Sequence, residues 1–416
     1  IERRPGTKHI IGVKTNSLST LIKEFVFSSS QAYIIEFGNL YARFIKDRAQ
    51  IDTGSPIELT TTYLTADLFS LRFAQSADLL YITHKSYPPR KMSRTSDTAW
   101  SITNVTFIDG PYLVTNSTTT TLSLSGTTGS VTVTASAVTG INGGTGFQAS
   151  DIGRLIRWQD AASNWTYLTI TGRSGTTSVT AAIDGPDASA TTATIHWRLG
   201  LYSATTGYPS VVGFHQNRLG FAGTTDFPLR YDLSVSGDFE NMAPTDTDGT
   251  VLDDSAVTDS LSGDTVDPIR WMMSDEKGLL LGTFEAEWVS RPSDTSTLLT
   301  PSNVKSARST GYGSGAVEPK RAGKVILFVQ KALRKIRELA FIFEDDGFRA
   351  PDLTLVAEHI SRTGIVQMAY QREPQSVLWC VLGDGTLIAL TYERDQKVVG
   401  WSRHVVGGVS DAGTTQ

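Results

Sequence analysis

Val377-Leu-Trp-Cys-Val381, Leu382-Gly-Asp-Gly385 and Thr386-Leu-Ile-Ala-Leu390 follow one another without a break. Two apolar runs of strand length flank a polar turn, and the Asp384-Gly385 pair supplies the positive φ angles that a tight hairpin requires. The stretch predicts an antiparallel hairpin, and its first run has counterparts along the chain. These are Ala32–Ile35, Leu79–Ile82, Leu219–Ala222, Leu279–Leu281 and Val325–Val329. Counted from residues 33, 79, 219, 279, 325 and 377, the intervals are 46, 140, 60, 46 and 52 residues. Removing about 85 residues between Thr115 and Arg198 cuts the long interval to about 55, so every spacing lies near or slightly above the ~40–50 residues of a four-stranded propeller blade. The expected fold is all-β: a multi-blade β-propeller with about six recognisable blades, interrupted by a small inserted β-sandwich or barrel. Residues 1–113 form the first part of the propeller, 114–197 the insert and 198–416 the second part.

Further hairpins pair Tyr33–Phe37 with Tyr41–Ile45 around Gly38-Asn39, and Val325–Val329 with Ile336–Phe343 around 330–335. A strand at Arg230–Ser234 follows Leu219–Ala222 across a turn holding Pro228. Helical signals are scarce: Leu68, Leu71 and Ala74, with Asp67 as cap, predict a short helix or turn within Asp67–Leu80 that feeds the strand at Leu79. From Thr115 to Gly146 nearly every residue is Ser, Thr, Gly, Val, Ala or Asn, and the alternation in Leu122–Ser125 and Val131–Thr134 suits half-exposed strands. With Phe147–Trp158, Tyr167–Ile170, Ser178–Ile183 and Ala193–Trp197, about seven short strands are expected in the insert, which projects from the propeller rim.

Composition narrows the function. Lys and Arg (37) are outnumbered by Asp and Glu (42), a net charge of −5, so there is no clustered cation supply for holding nucleic acid by its phosphates. A mildly acidic wall lets DNA slide past. Cys380 is the sole cysteine, so no internal disulfide is needed and assembly in a reducing cytoplasm is the simplest expectation. No apolar run approaches the ~20 residues that span a bilayer. The start at Ile1-Glu-Arg-Arg-Pro5 lacks an initiator Met and a hydrophobic signal segment, which suggests an interior stretch of a longer polypeptide.

No constellation for chemistry emerges. Gly311-Tyr-Gly-Ser-Gly315 superficially resembles a nucleophile elbow, but the residues around Ser314 do not fit that motif, and it reads as a flexible turn. Thr245–Asp254 alternates carboxylates about Gly249 as a calcium loop does, yet Pro244 then falls at the first ligand position and Ser255 at that of the bidentate Glu. A solvated loop or subunit contact is the expectation. His9, His84, His196, His215, His359 and His404 show no paired spacing for zinc. Glu344, Asp345 and Asp346, or Asp253 and Asp254, are adjacent acids rather than facing pairs, and retaining glycoside hydrolysis needs two carboxyl groups about 5 Å apart. Glu344–Gly347 reads as a turn. No catalytic, cofactor-binding or metal-binding residue is assigned, and no cofactor is expected. Trp271, Trp288, Trp379 and Trp401 are expected to pack between blades, so that Trp379→Ala costs roughly 3–5 kcal/mol.

Several phrases together resemble a known family. They are Arg3–Lys8; Phe25–Phe27, Gln31–Gly38 and Leu40-Tyr41; Phe73–Ile82 with Tyr87–Lys91; Gln216–Leu219; Ser236–Asn241; Arg337–Leu339; Glu344–Gly347; Ala350–Thr354 with Glu358–Ile360; and Gln371–Pro374. In this order they resemble the tail nozzle (tail tubular protein B-like) proteins of short-tailed bacteriophages, over about Ile1–Arg403. The resemblance implies a virion structural protein without enzymatic activity: a homohexameric ring in the virion tail, assembled in the host cytoplasm. It docks beneath an adaptor or gatekeeper ring, contacts tail fibres or spikes, and forms the distal tube that double-stranded DNA traverses without sequence-specific binding. Two other readings of the residues stay open. The aromatic count and Thr-rich insert suit a carbohydrate-binding tail adhesin, and a propeller glycosidase is the remaining alternative.

Overall fold

The computed structural model describes residues 9–263, 265–294 and 297–404; the Arg3–Lys8 phrase and the residues flanking it at the start lie outside them, as does the end of the chain. The molecule is all-β, with short 3-10 turns and no α-helix among the described residues. Six antiparallel sheets and one inserted sheet account for its strands. The first sheet holds Leu21–Ser28, Gln31–Gly38, Tyr41–Lys46 and Ala49–Gln50, with Glu58–Thr60 beside the third strand. The second holds Arg72–Ser76, Leu79–His84, Tyr87–Arg94 and Trp100–Asn104. The third holds Val211–His215, Arg218–Ala222, Arg230–Leu233 and Val257–Ser260, and the fourth Ile269–Asp275, Gly278–Thr283, Glu287–Pro292 and Val304–Thr310. The fifth holds Lys320–Ala322, Val325–Val329, Ile336–Ile342 and Gly347–Arg349, and the sixth Ile365–Gln371, Val377–Leu382, Leu387–Glu393 and Val398–His404.

Each of the six apolar runs quoted above is the second strand of its sheet, so the repeat keeps phase along the chain. In the fourth and fifth sheets, Gly278–Thr283 and Val325–Val329 are buried at every position because both faces are covered. Leu279 and Leu281 enter a cluster shared with the third sheet, while Leu280 enters one shared with the fifth. Ile326 and Phe328 face the fourth sheet, whereas Val325, Leu327 and Val329 face the sixth. Successive side chains on a strand point to opposite faces, so a strand stacked between two sheets loses the hydrophobic-polar alternation of a half-exposed one. Five apolar clusters of this kind join the first sheet to the second and so on to the sixth. The architecture is a propeller. Trp271 packs into the fourth-to-fifth cluster against Gly282, where any Cβ would collide with its indole ring.

The hairpin at 377–390 forms, with Val381 opposite Leu387; Leu382 is still strand and Thr386 belongs to the turn, where only Gly385 takes positive φ. In the first sheet Gly38 is still strand and the turn is Asn39-Leu40, with Leu40 at φ 67°. Glu344–Asp346 is in a turn as expected, with Asp346 left-handed, and Gly347 already opens the next strand. Of the short helix or turn expected within Asp67–Leu80, the turn is found as one 3-10 turn at Leu68–Ser70; the Asp67 side chain does not cap it, and Arg72–Ser76 is already a strand. Phe73 and Ala74 belong to two apolar clusters on opposite faces of that strand, which outweighs a weak helical preference.

The inserted sheet runs Leu122–Leu124, Ser130–Ala135, Ser178–Ile183, Trp165–Gly175, Leu155–Gln159 and Trp197–Leu199 in spatial order. Leu122 also bridges Thr194, just ahead of the last strand, so the sheet closes on itself as a small barrel of six strands rather than the expected seven. Each of the six runs named from the sequence supplies one of these strands, and Phe147–Trp158 is strand only from Leu155, after a 3-10 turn at Ala149–Asp151. Trp158, Trp197, Phe147 and Leu168 fill the interior. The last strand carries the barrel to Leu199, two residues beyond 197.

Candidate functional site

The first strands of the sheets face a common axis. A cavity of about 620 Å³ is walled by the first strands of the second, third and fourth sheets, Arg72–Ala74, Val211–Phe214 and Trp271–Asp275, with Arg321 of the fifth. A smaller one of about 200 Å³ lies against Leu21–Glu24 and Val366–Ala369 of the first and sixth sheets. Arg72, Phe73 and Glu318 line both and stand between them. Arg72 donates to the carbonyls of Phe69 (3.1 Å), Leu71 (2.7 Å) and Ala316. Glu318 accepts from Lys23 at 3.2 Å and lies 3.4 Å from Lys320. The axis is thus crossed by charged contacts from the first and second sheets to the start of the fifth. Burial alone raises the Glu318 carboxyl, but Lys23, Lys320 and Arg72 override it and hold the group at about 2.

A serine and a histidine meet at the wall of the larger cavity. Ser274 Oγ and His215 Nδ1 are 2.9 Å apart, and burial lowers the imidazole to about 4, with Arg218 acting in the same direction. That keeps His215 neutral near pH 7 but makes it a weak base, and its Nε2 has no orienting partner. The pair therefore lacks the third member that a nucleophile-base-orienter arrangement requires.

The residues singled out from sequence are mostly structural or solvated. Ser314 is buried, not part of a flexible turn: its N–H donates to Thr283 O (2.7 Å) and its hydroxyl to Glu287 Oε1 (2.9 Å). Glu287, missed in the sequence because its partners Thr310, Tyr312 and Ser314 lie more than twenty residues on, also accepts from Thr310 and from the Tyr312 N–H, and burial raises its carboxyl. Asp253, Asp254, Glu344, Asp345 and Asp346 are exposed, so neither acidic group is enclosed with a facing partner. His9, His196 and His359 are exposed, His84 and His215 buried, and His404 is half-buried beside Trp379. Among the described residues no three His, Cys, Asp or Glu side chains gather as metal ligands. Burial pushes the Cys380 thiol up.

The segment Thr245–Asp254 is a contact rather than a free loop, and the contact is within the chain. Its Thr247 carbonyl accepts from the Trp165 N–H at 2.6 Å, and Arg157 of the barrel donates to Thr245 Oγ1 (2.9 Å) and Thr245 O (3.0 Å). Arg157 also pairs with Asp109 at 3.0 Å, so one buried guanidinium ties the barrel to the linker and to the third sheet. Arg230 adds a bond to Tyr112 O at 2.8 Å.

The tryptophans divide. Trp100, Trp158, Trp197, Trp271 and Trp288 are buried, while Trp165, Trp379 and Trp401 are half-buried. Trp379 is a correction: Leu378, Cys380 and Leu382 face the fifth sheet, so Trp379 points the other way, with its N–H on Gln371 Oε1 (2.9 Å). Trp401 sits at the edge of the same cluster, donating to Leu353 O (2.8 Å). No helix among the described residues is long and apolar enough to cross a membrane.

No protein-family model matches the sequence, and no curated protein does. Solved structures give distant likenesses. AztD from Citrobacter koseri, in its apo form, is 8% identical with TM-score 0.38, covering 93% of this chain and 83% of that one. A protein of Bacteroides uniformis described as a candidate 6-phosphogluconolactonase is 10% identical with TM-score 0.37, covering 91% and 93%. BBS1N, from a lead-soaked complex with ARL6DN, is 10% identical with TM-score 0.36, covering 90% and 92%.

Proposed function

We propose that this chain is a structural subunit of a short-tailed bacteriophage tail nozzle, one copy in a ring through which the genome leaves the virion. The observation that carries the reading is what the family-like phrases do in three dimensions. Lys91 of Tyr87–Lys91 pairs at 2.6 Å with Glu240 of Ser236–Asn241, which joins the second sheet to the third. Arg218 of Gln216–Leu219 is buried and donates to the carbonyls of Ser234, Asp253 and Ser255 at 2.7–2.9 Å. Arg337 donates to Ala350 O at 2.6 Å, and Lys335 spans Asp352 (2.8 Å) and Glu358 (2.6 Å). Residues shared in type with the nozzle family are thus spent on stapling sheets and linkers, as a scaffold needs, and none of these phrases lies in the barrel.

The axial cavity supports a ring of several copies. About 620 Å³ is a small-molecule volume, whereas the major groove of a DNA duplex alone is about 12 Å wide. DNA that passes this protein passes between copies, and heterologous contacts that close produce such a ring. In this reading the subunit carries no covalent chemistry, and adaptor and fibre proteins are its partners.

Gold labelling of intact particles with antibodies to this polypeptide tests the reading. Label on the tail axis below the capsid vertex is expected, with ring-shaped assemblies of purified chain in negative stain. Label confined to peripheral fibres, or turnover of a polysaccharide by the purified chain, overturns it.

A further inference from the structure

A further cavity, of about 320 Å³, lies where the barrel meets the third sheet. Its barrel wall is Trp165 and Tyr167, two residues apart on one strand and therefore on one face, while Thr166 and Leu168 between and beyond them point inward. Both residues are half-buried. The guanidinium groups of Arg157 and Arg198 lie 5.1 and 5.7 Å from the Trp165 ring centroid and fix its orientation. Across the cavity stand Asn241, Asp246 and Asp254, with Asp109 deeper in. Asp246 and Asp254 are exposed, and Asn241 Oδ1 already accepts from the Ala243 N–H at 3.0 Å, which leaves its amide N–H groups to serve as donors.

Adjacent aromatic faces opposed by carboxylates and an amide match the chemistry of a sugar. Its C–H face packs on the rings, and its hydroxyl groups donate to carboxylates and accept from an amide. Three carboxylates line this cavity, of which Asp109 is paired with Arg157 behind the wall, so Asp246 and Asp254 carry its negative charge. We propose that the cavity binds the end of a neutral or amine-bearing saccharide and rejects acidic sugars by like-charge repulsion. The volume lies at the lower end of the usual range for ligand sites, about 300–1,000 Å³, which suits a short terminal unit rather than a long chain. The proposal is independent of the ring reading: a nozzle subunit and a free adhesin could both carry the site.

The test uses the intact chain on an array of oligosaccharides ending in glucose, galactose, N-acetylglucosamine or glucosamine, alongside sialylated and uronate-terminated ones. Binding of the array hits is then measured by calorimetry. Binding to neutral or amine-bearing ends is expected, and Trp165→Ala or Tyr167→Ala should each weaken it at least about tenfold, a loss of about 1.4 kcal/mol. Asp254→Asn should weaken amine-bearing glycans more than neutral ones. An empty array, a preference for acidic ends, or full affinity in Tyr167→Ala would each overturn the proposal. If Trp165→Ala melts early, Tyr167→Ala and Asp254→Asn decide it, because neither residue is in the barrel interior.

Discussion

Among the described residues, five of the sheet-to-sheet interfaces share an apolar cluster, and the one between the sixth sheet and the first does not. At that seam the described contact is Gln367 Nε2 donating to Ile22 O at 2.8 Å, beside the smaller axial cavity. The exposures agree: Ile22, Val26 and Ile34 on the seam face of the first sheet are 42%, 51% and 38% exposed, while Phe25, Tyr33 and Ile35 on the opposite face are buried. Strands with the same apolar composition thus meet different surroundings, and burial is a property of the neighbouring sheet rather than of the strand. A contact made across a closed interface carries packing energy; one made across the seam carries little more than a hydrogen bond.

Substitutions on the two sides of this divide should separate by several kcal/mol. Phe328→Ala, in the closed fourth-to-fifth interface, is expected to cost about 3–5 kcal/mol in chemical denaturation, and a loss below about 1 kcal/mol would show that this interface is not packed as described. Leu378→Ala should cost about 2–5 kcal/mol, because its side chain enters the fifth-to-sixth cluster. Its neighbour Trp379 faces the seam, so Trp379→Ala should cost clearly less than Leu378→Ala despite removing a larger side chain; the reverse order would mean the seam is closed in solution. Gln367→Ala should cost only about 0.5–1.5 kcal/mol, the net worth of one hydrogen bond. The axis offers a pH test. Because Glu318 is held at about 2, below the ~4.3 of a free glutamate, its stabilisation is present above that higher value and is lost as pH falls toward 2. Glu318→Gln should therefore flatten the acid limb of the stability curve between about pH 4 and pH 2; an unchanged limb would remove Glu318 from the axial contact.

The Trp379 expectation failed for the same reason. Val377–Leu382 is apolar at nearly every position, so its sequence says that both faces are suited to burial without saying which face has a neighbour. The barrel was easier to read: Ser130–Ala135 alternates strictly because one face looks into a closed interior and the other at water. Its Tyr167 was legible as a strand residue, but Trp165 and Tyr167 were not legible as the wall of a cavity. The residues opposite, Asn241 to Asp254, lie some 75 to 90 positions away, and only Arg157 and Trp165 bring them near.

By itself, the sequence determined the all-β class, the phase of six apolar second strands and the existence of a compositionally distinct insert. Those features rest on local periodicity, turn residues and spacing, which short-range sterics and hydrophobicity dictate. Only the tertiary structure decided that the insert closes as a barrel, that Ser314 and Glu287 share a buried network, that charged side chains cross the axis, and that the described residues form no apolar cluster across one seam. Each of these depends on pairing residues far apart in the chain, and a residue's own neighbours in sequence hold no record of which distant surface it will meet.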